Sequence, residues 1–298
     1  MPFDAIIVGG SFAGLSAAMY LARARRTVCV IDSGQPRNRF AVQSHGFFGQ
    51  DGSSPQAMLE TARAQVLAYP STYLMHAQVS HVSRDEAGLF VATLADGTNV
   101  DARKLVLAYG LSDELPPIDG LAEHWGRSVL HCPYCHGYEF TGRQLGVLHT
   151  MPMSSHQAML IAEWGPTVYY LNGAPAPEPD VADELRRRGV RIEPARLREV
   201  RGDGQDLTAV VLEDGRSMPV DAMFLGPRTR FNSTIATELG CAVDEHPLGS
   251  VIRTDDWKLT TVPGVYAAGD ITRGAHSVTW ASADGVTAGV AVHRALVF

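Results

Sequence analysis

Two thiols and two imidazoles lie within six residues of one another in His131-Cys132-Pro133-Tyr134-Cys135-His136. Three chemistries use residues of these types at this spacing. C-x-x-C-H is the attachment signature of a c-type haem. C-x-x-C alone is a dithiol suited to disulfide exchange. With His131 and His136 the pair could supply half of a zinc site. Zinc would need two more ligands at matching spacing. The other cysteines, Cys29 in the alternating run Thr27–Asp32 and Cys241 after Gly240, read as small core residues, so no metal is assigned. A c-type haem is attached outside the cytoplasm and requires a signal segment. Here Met1-Pro2-Phe3-Asp4 runs directly into apolar Ala5–Val8, which leaves no room for one and makes a cytoplasmic location the expectation. The dithiol reading remains.

The chain has 298 residues, enough for two domains, with 45% hydrophobic and 19% charged residues. A net charge of −7 argues against nucleic acid or an anionic membrane surface as a partner. No apolar run approaches the roughly 20 residues of a membrane span.

The elements that could position a redox group are legible at both ends of the chain. Apolar Ala5–Val8 reads as a buried strand. Gly9-Gly10-Ser11-Phe12-Ala13-Gly14 follows at once, then an amphipathic helix through Arg25, then a strand from Thr27 to Ile31 ending at Asp32. Strand, glycine turn, helix, strand and acid in this order form a dinucleotide-binding fingerprint. The turn and helix N-terminus suit a pyrophosphate, and Asp32 suits ribose hydroxyls. Ser11 replaces the middle glycine, and it is small enough for a phosphate to approach the backbone. Near the other end, a strand enters Ala267-Ala268-Gly269-Asp270, and a long helix starts at about Ser277.

Two stretches repeat one pattern. Residues 90–110 and 208–228 each read as a strand, an Asp-Gly turn (Asp96-Gly97, Asp214-Gly215) and an apolar strand ending at glycine or beyond it. Each follows a strand–turn–helix–strand unit, so two domains of one topology are expected. The fold class is α/β, with two Rossmann-like, three-layer ββα dinucleotide-binding domains. The second is inserted in the first: residues 1–113 and 246–298 form one, and 117–243 the other. The joins at 112–120 and 244–254 are rich in Pro and Gly.

With the glycine fingerprint, Gly269-Asp270 and Cys132-Pro133-Tyr134-Cys135-His136-Gly137 in this order, the chain resembles the thioredoxin-reductase type of FAD-dependent pyridine-nucleotide-disulfide oxidoreductases. The likeness runs along its whole length. The resemblance is to the subgroup with histidine after the second cysteine, which includes the gliotoxin- and holomycin-type dithiol oxidases. It implies FAD held by Gly9, Gly10, Ser11, Phe12, Ala13, Gly14, Asp32, Arg37, Asn38, His45, Val79, Ala108, Gly110, Gly269, Asp270, Trp280 and Ala281. It also implies that Cys135 faces the flavin, that Cys132 exchanges with substrate, and that His136 transfers the proton between thiol and flavin. A homodimer is expected on the same ground. So is a substrate that is either a thioredoxin-like protein or a small dithiol or disulfide.

The pattern breaks in the inserted domain. Where relatives carry Gly-x-Gly-Pro for NADPH, this chain has His149-Thr150-Met151-Pro152-Met153-Ser154, whose side chains occupy the space the phosphates need. The segment Thr167–Asp180 contains no arginine for a 2′-phosphate, and Arg186, Arg187 and Arg188 end a helix. Both features argue against tight NADPH binding. Three readings follow. One is a flavin-dependent thiol–disulfide oxidoreductase using another donor, such as ferredoxin, or passing substrate electrons to oxygen. The second is an ordinary NADPH-dependent thioredoxin reductase. The third is a non-catalytic flavin-bound redox sensor, against which the intact dithiol and His136 speak.

Overall fold

Apolar runs without alternation become strands buried on both faces, and in a parallel sheet helices cover them. A computed structural model describes residues 1–204 and 206–298. The chain divides into two units, each with its own core. Unit 1 comprises Met1–Arg39, Phe47–Ser112 and Thr229–Phe298; unit 2 comprises Phe40–Gly46 and Asp113–Arg228.

Unit 1 opens with β1 (Phe3–Val8), α1 (Phe12–Arg23), β2 (Val28–Asp32), α2 (Pro55–Leu67) and β3 (Thr72–His76). The helix α1 stops at Arg23, two residues short of the expected end, because Arg25 takes a positive φ of 60°. The strands β4 (Val79–Arg84), β5 (Phe90–Leu94) and β6 (Asn99–Leu107) follow as an antiparallel meander. β6 also pairs in parallel with β1, Ile7 standing opposite Val106, which gives the order β3-β2-β1-β6-β5-β4. The chain leaves along β7 (Leu111–Glu114).

Unit 2 repeats the plan. Its elements are β8 (Val129–Leu130), α3 (Pro133–His136), β9 (Leu145–Leu148), α4 (Ser154–Ile161), β10 (Thr167–Tyr170), α5 (Pro179–Arg187) and β11 (Arg191–Glu193). The antiparallel strands β12 (Leu197–Asp203), β13 (Asp206–Leu212) and β14 (Ser217–Pro219) follow, then β15 (Ala222–Phe224). The parallel sheet runs β11-β10-β9-β15-β8. The two expected hairpins are built alike. Leu94 N–H donates to Thr98 O at 2.8 Å and Leu212 N–H to Arg216 O at 2.9 Å. In each turn the aspartate Oδ1 accepts the N–H two residues on, at 2.9 Å for Asp96 and 3.0 Å for Asp214. The expected pair of Rossmann-like units with parallel sheets is the fold observed.

The chain re-enters unit 1 along β16 (Arg228–Phe231), α6 (Ile235–Glu238), β17 (Val243–His246), β18 (Gly249–Ile252), β19 (Val265–Ala267) and α7 (Val278–Val297). β19 adds to β6, Tyr266 opposite Val106. Ala13, Ala17 and Ala18 of α1 share one core cluster with Ala288, Ala291 and Val292 of α7, and side chains this small let the two helices pack closely.

The unit edges differ from those read in the sequence. Residues 229–243, expected in the inserted domain, belong to unit 1, because Ile235, Ala236 and Cys241 are buried with Val82, Leu111 and Ile252 in its core. Residues 40–46, expected in the first domain, cluster with unit 2. There a Cβ on Gly126 would stand 2.7 Å from Phe40 Cβ.

Candidate functional site: the dithiol and the two glycine turns

Pro133 presets the first residue of α3, and Cys132 caps the helix from extended backbone at φ −108°, ψ 117°. This turn gathers donors onto the Cys132 sulfur. The Cys135 thiol, foremost, and the backbone N–H groups of Cys135 and Tyr134 favour negative charge there. Together they outweigh its burial and hold the Cys132 thiol below the ordinary cysteine range. Neither cysteine is in a disulfide, and both are half-buried. The buried Cys29 moves the opposite way, its thiol pushed up to about 11 by desolvation. Of Cys29, Cys132 and Cys241, Cys132 is the one shifted toward the thiolate.

His136 is held below the ordinary imidazole value. Burial is the main cause; Glu139 works against it and His45 adds to it. At neutral pH His136 is a proton acceptor. The His45 ring stands perpendicular to that of His136 with centroids 6.3 Å apart, and His45 Nε2 lies 3.4 Å from Glu139 Oε1. His45, expected at the cofactor, lies in unit 2, beside the dithiol turn. Glu139 was not singled out at all, because a glutamate three residues beyond a histidine is an ordinary feature of a helical turn. His131 is fixed through its carbonyl, which accepts from Gln157 Nε2 at 3.0 Å. Two aromatic residues flank the cysteines at the surface. Tyr134, 72% exposed, meets Trp164 edge-on at 5.7 Å, and Tyr138 is 82% exposed.

The remaining residues expected at the cofactor lie in unit 1. Gly9 has φ +108°, and a Cβ there would stand 2.2 Å from Ala108 O. A Cβ on Gly14 would lie 1.8 Å from Gly9 O. The turn therefore holds together only with glycine at both positions. Gly10, Ser11 and Phe12 lead into α1, and no acidic side chain lies in its first turn. Among the described residues, none caps that end through its side chain. Asp32 ends β2 and pairs with Arg63 Nη2 at 3.0 Å, a partner supplied by α2 that the sequence did not reveal. Arg37 Nη1 reaches Asp270 Oδ2 at 2.9 Å, joining two expected residues that are 233 positions apart. Asn38 sits in the same short turn, Arg37–Phe40. Gly269, at φ +83°, faces Ala13 and Ala281: a Cβ on it would stand 3.0 and 3.8 Å from their Cβ atoms. Gly110 takes φ +70°, and Val79 is buried at the start of β4. Trp280 is 46% exposed; its N–H donates to the capping Ser277 Oγ at 3.1 Å, and Arg273 lies over its ring at 5.1 Å. A side-chain-free helix start beside an acid-tipped strand suits the pyrophosphate and ribose of FAD, so these residues fit the group.

The matching turn in unit 2 is bonded to the protein's own side chains. Ser154 Oγ accepts from the N–H of Thr150 at 3.1 Å and of Met151 at 3.2 Å. Thr150 Oγ1 donates to Gly226 O at 2.7 Å, and His149 Nδ1 meets Tyr169 OH at 2.6 Å. The N–H groups that would meet a phosphate are thus turned onto the protein's own serine. Arg187 and Arg188 pair with Glu184 at 2.7 Å each, and Arg186 pairs with Asp183. One arginine does reach the end of β10. Arg196, from the loop between β11 and β12, lies over Gly173, where a Cβ would stand 2.7 Å from its guanidinium carbon. The sequence concealed it because it is 23 residues downstream. Among the described residues no three His, Cys, Asp or Glu side chains are arranged to hold a metal, and no helix is long and apolar enough to cross a membrane.

Two Rossmann-like units of one plan, one of them bearing a hydrogen-bonded dithiol, define the flavoprotein disulfide oxidoreductases. The chain belongs to the pyridine nucleotide-disulphide oxidoreductase family, which it matches over residues 3–285, and it is thioredoxin-reductase-like within it. Membership implies FAD binding. Among curated proteins it is similar to thioredoxin reductase sirT of Leptosphaeria maculans, at 32% identity over 98% of this chain and 93% of that one. Among solved structures it is similar to an oxidoreductase from Agrobacterium tumefaciens, at 45% identity and a TM-score of 0.95, covering 100% of this chain and 99% of the other. It is also similar to HlmI, at 35% identity and a TM-score of 0.93, covering 99% and 93%.

Proposed function

We propose that this protein is a flavin-dependent thiol–disulfide oxidoreductase that cycles Cys132 and Cys135 and does not draw its electrons from NADPH. The observation that carries the reading is the closed turn before α4, whose N–H groups bond Ser154 Oγ rather than facing outward. The residues around Gly9, Asp32, Arg37 and Asp270 would hold FAD, which when bound supplies two-electron transfer to or from the dithiol. Cys132, held below the ordinary thiol range by its neighbours on the turn, is the thiolate that meets the substrate. Cys135, whose thiol donates to that sulfur, closes the intramolecular disulfide. His136, neutral through burial, takes up the proton released on closure. The substrate is a thioredoxin-like protein or a small dithiol or disulfide. The electron partner is a ferredoxin-type donor, or oxygen as acceptor when a dithiol is oxidised. The exposed Tyr134 and Tyr138 beside the cysteines offer an apolar surface to either substrate.

Arg196 over Gly173 favours a second reading, an NADPH-dependent thioredoxin reductase with an unusual turn, since it places a guanidinium near the end of β10. Anaerobic titration of the holoenzyme with NADPH, NADH, reduced ferredoxin and dithiothreitol separates the two. The expected outcome is flavin bleaching by dithiothreitol and by any competent protein donor, with NADPH slow or inert. Fast stoichiometric bleaching by NADPH establishes the second reading instead.

A further inference from the structure

Next to the dithiol, unit 2 holds three side chains in series. Glu139 Oε1 lies 3.4 Å from His45 Nε2, and the His45 ring stands at 90° to the His136 ring with centroids 6.3 Å apart. The side chain of His45 is only 18% exposed, whereas that of Glu139 is 37% exposed, so the series leads from the half-buried dithiol turn toward solvent. His45 is brought there by the segment Phe40–Gly46, which packs with unit 2 although it is about 90 residues from the dithiol in sequence. A histidine beside a cysteine in sequence can still adopt many ring orientations. Here a second imidazole, itself tied to a carboxylate, restricts them.

We propose that His45 and Glu139 are positioning residues for His136: the Glu139 carboxylate fixes the His45 ring, and the perpendicular His45 ring fixes His136 as the base that takes the Cys135 thiol proton. The inference rests on the reading of Cys132 and Cys135 as a working dithiol. In the reductive half-reaction the Cys132 thiolate attacks one sulfur of a substrate disulfide. A Cys132–substrate S–S bond forms, and the substrate's second sulfur leaves as a thiolate. Cys135 then gives its proton to His136 and attacks Cys132 Sγ, forming the Cys132–Cys135 bond and releasing the first substrate sulfur. Two electrons pass from the cysteine pair to the substrate disulfide. The proton on His136 goes to a departing thiolate, so the charge of the starting thiolate is carried away by the product.

The groups that face His136 are Glu139, whose charge favours its protonation, and His45, which opposes it. The Cys132–Cys135 pair lies on the same turn. The two variants therefore have opposite expected effects. Glu139→Gln removes the favourable charge and should move the His136 titration to lower pH. His45→Phe keeps a ring but removes the opposing imidazole, and should move it to higher pH. Both can be read by proton NMR of the holoenzyme, with the His136 resonance assigned by comparison with His136→Gln.

Pre-reduced holoenzyme mixed with dithiodipyridine should release two thiones in sequence. An acid–base group contributes about 10²–10⁴-fold, and loss of its orientation should slow the second release by about tenfold in each variant, with the first release unchanged. FAD content and circular dichroism establish that each variant is folded, and Glu139→Gln is nearly isosteric should His45→Phe fold poorly. Titrations that stay in place or move in the same direction, or a second release at the wild-type rate, overturn the proposal. First-phase release that persists in Cys132→Ser would instead sink the dithiol reading. The NMR titration does not depend on turnover, so the two failures are distinguishable.

Discussion

At the scale of single residues, the site works by unequal treatment of chemically identical groups. Cys29 and Cys132 are both cysteines, yet burial alone pushes one thiol up to about 11, while the Cys135 thiol and the turn's backbone N–H groups hold the other below its ordinary value. Because the thiolate is the reactive form, Cys132 should remain open to iodoacetamide as the pH falls below the range where an ordinary thiol has lost its reactivity. Cys135→Ala removes the foremost of these influences, and the midpoint of Cys132 alkylation should rise. Mass spectrometry of the alkylated peptide against pH reads both outcomes. An unchanged midpoint in Cys135→Ala would show that the neighbouring thiol does not set Cys132's reactivity.

At the scale of elements, two glycine-position turns of the same topology have opposite chemistry. The one before α1 is open because Gly9 and Gly14 permit close backbone approach. The one before α4 is closed because Ser154 turns its hydroxyl onto two N–H groups. A second device lies in α7. Asp284, 5% exposed, accepts from Lys258 Nζ at 2.8 Å and from Thr272 Oγ1 at 3.3 Å, with Arg273 Nε at 3.6 Å. It ties the helix to the segment that carries Gly269 and Asp270. Asp284→Ala would leave Lys258, whose side chain is 15% exposed, as a nearly buried charge without its carboxylate. Breaking such a pair costs about 3–5 kcal/mol. A large fall in the denaturation midpoint is expected by circular dichroism, together with loss of bound FAD; a change within about 0.5 kcal/mol, the range of ordinary surface substitutions, would show that the pair is not buried in effect.

At the scale of the whole molecule, cofactor and fold are linked. The residues suited to FAD come from both ends of the chain, Arg37 meeting Asp270, so FAD held there would tie the two ends of unit 1 together. A ligand that binds only the folded state stabilises it by about 2.7 kcal/mol at a hundred times its Kd. Stripping FAD should lower the melting temperature, and re-addition should restore it in a concentration-dependent way. A melting temperature indifferent to FAD would mean that unit 1 is complete without it.

Much of this was legible in the sequence because it depends on local pattern. Unbroken apolar runs, glycines where a Cβ meets backbone, and two Asp-Gly turns specify strands, close approaches and hairpins within a few residues. From these came the two Rossmann-like units, the dithiol and the altered turn before α4. The rest depends on residues far apart in the chain, which local pattern does not encode. Residues 229–243 joined unit 1 through core packing of Ile235 and Cys241, not through any turn signal. Arg63 found Asp32, Arg196 found Gly173, and Ser154 found the N–H groups of Thr150 and Met151 only once the backbone had placed them. The sequence by itself determined where the paired sulfurs stand and how the two units are built. Tertiary structure alone decided which distant group joins them: His45 reaches His136 because packing, which acts through space and not along the chain, carries Phe40–Gly46 to the dithiol turn.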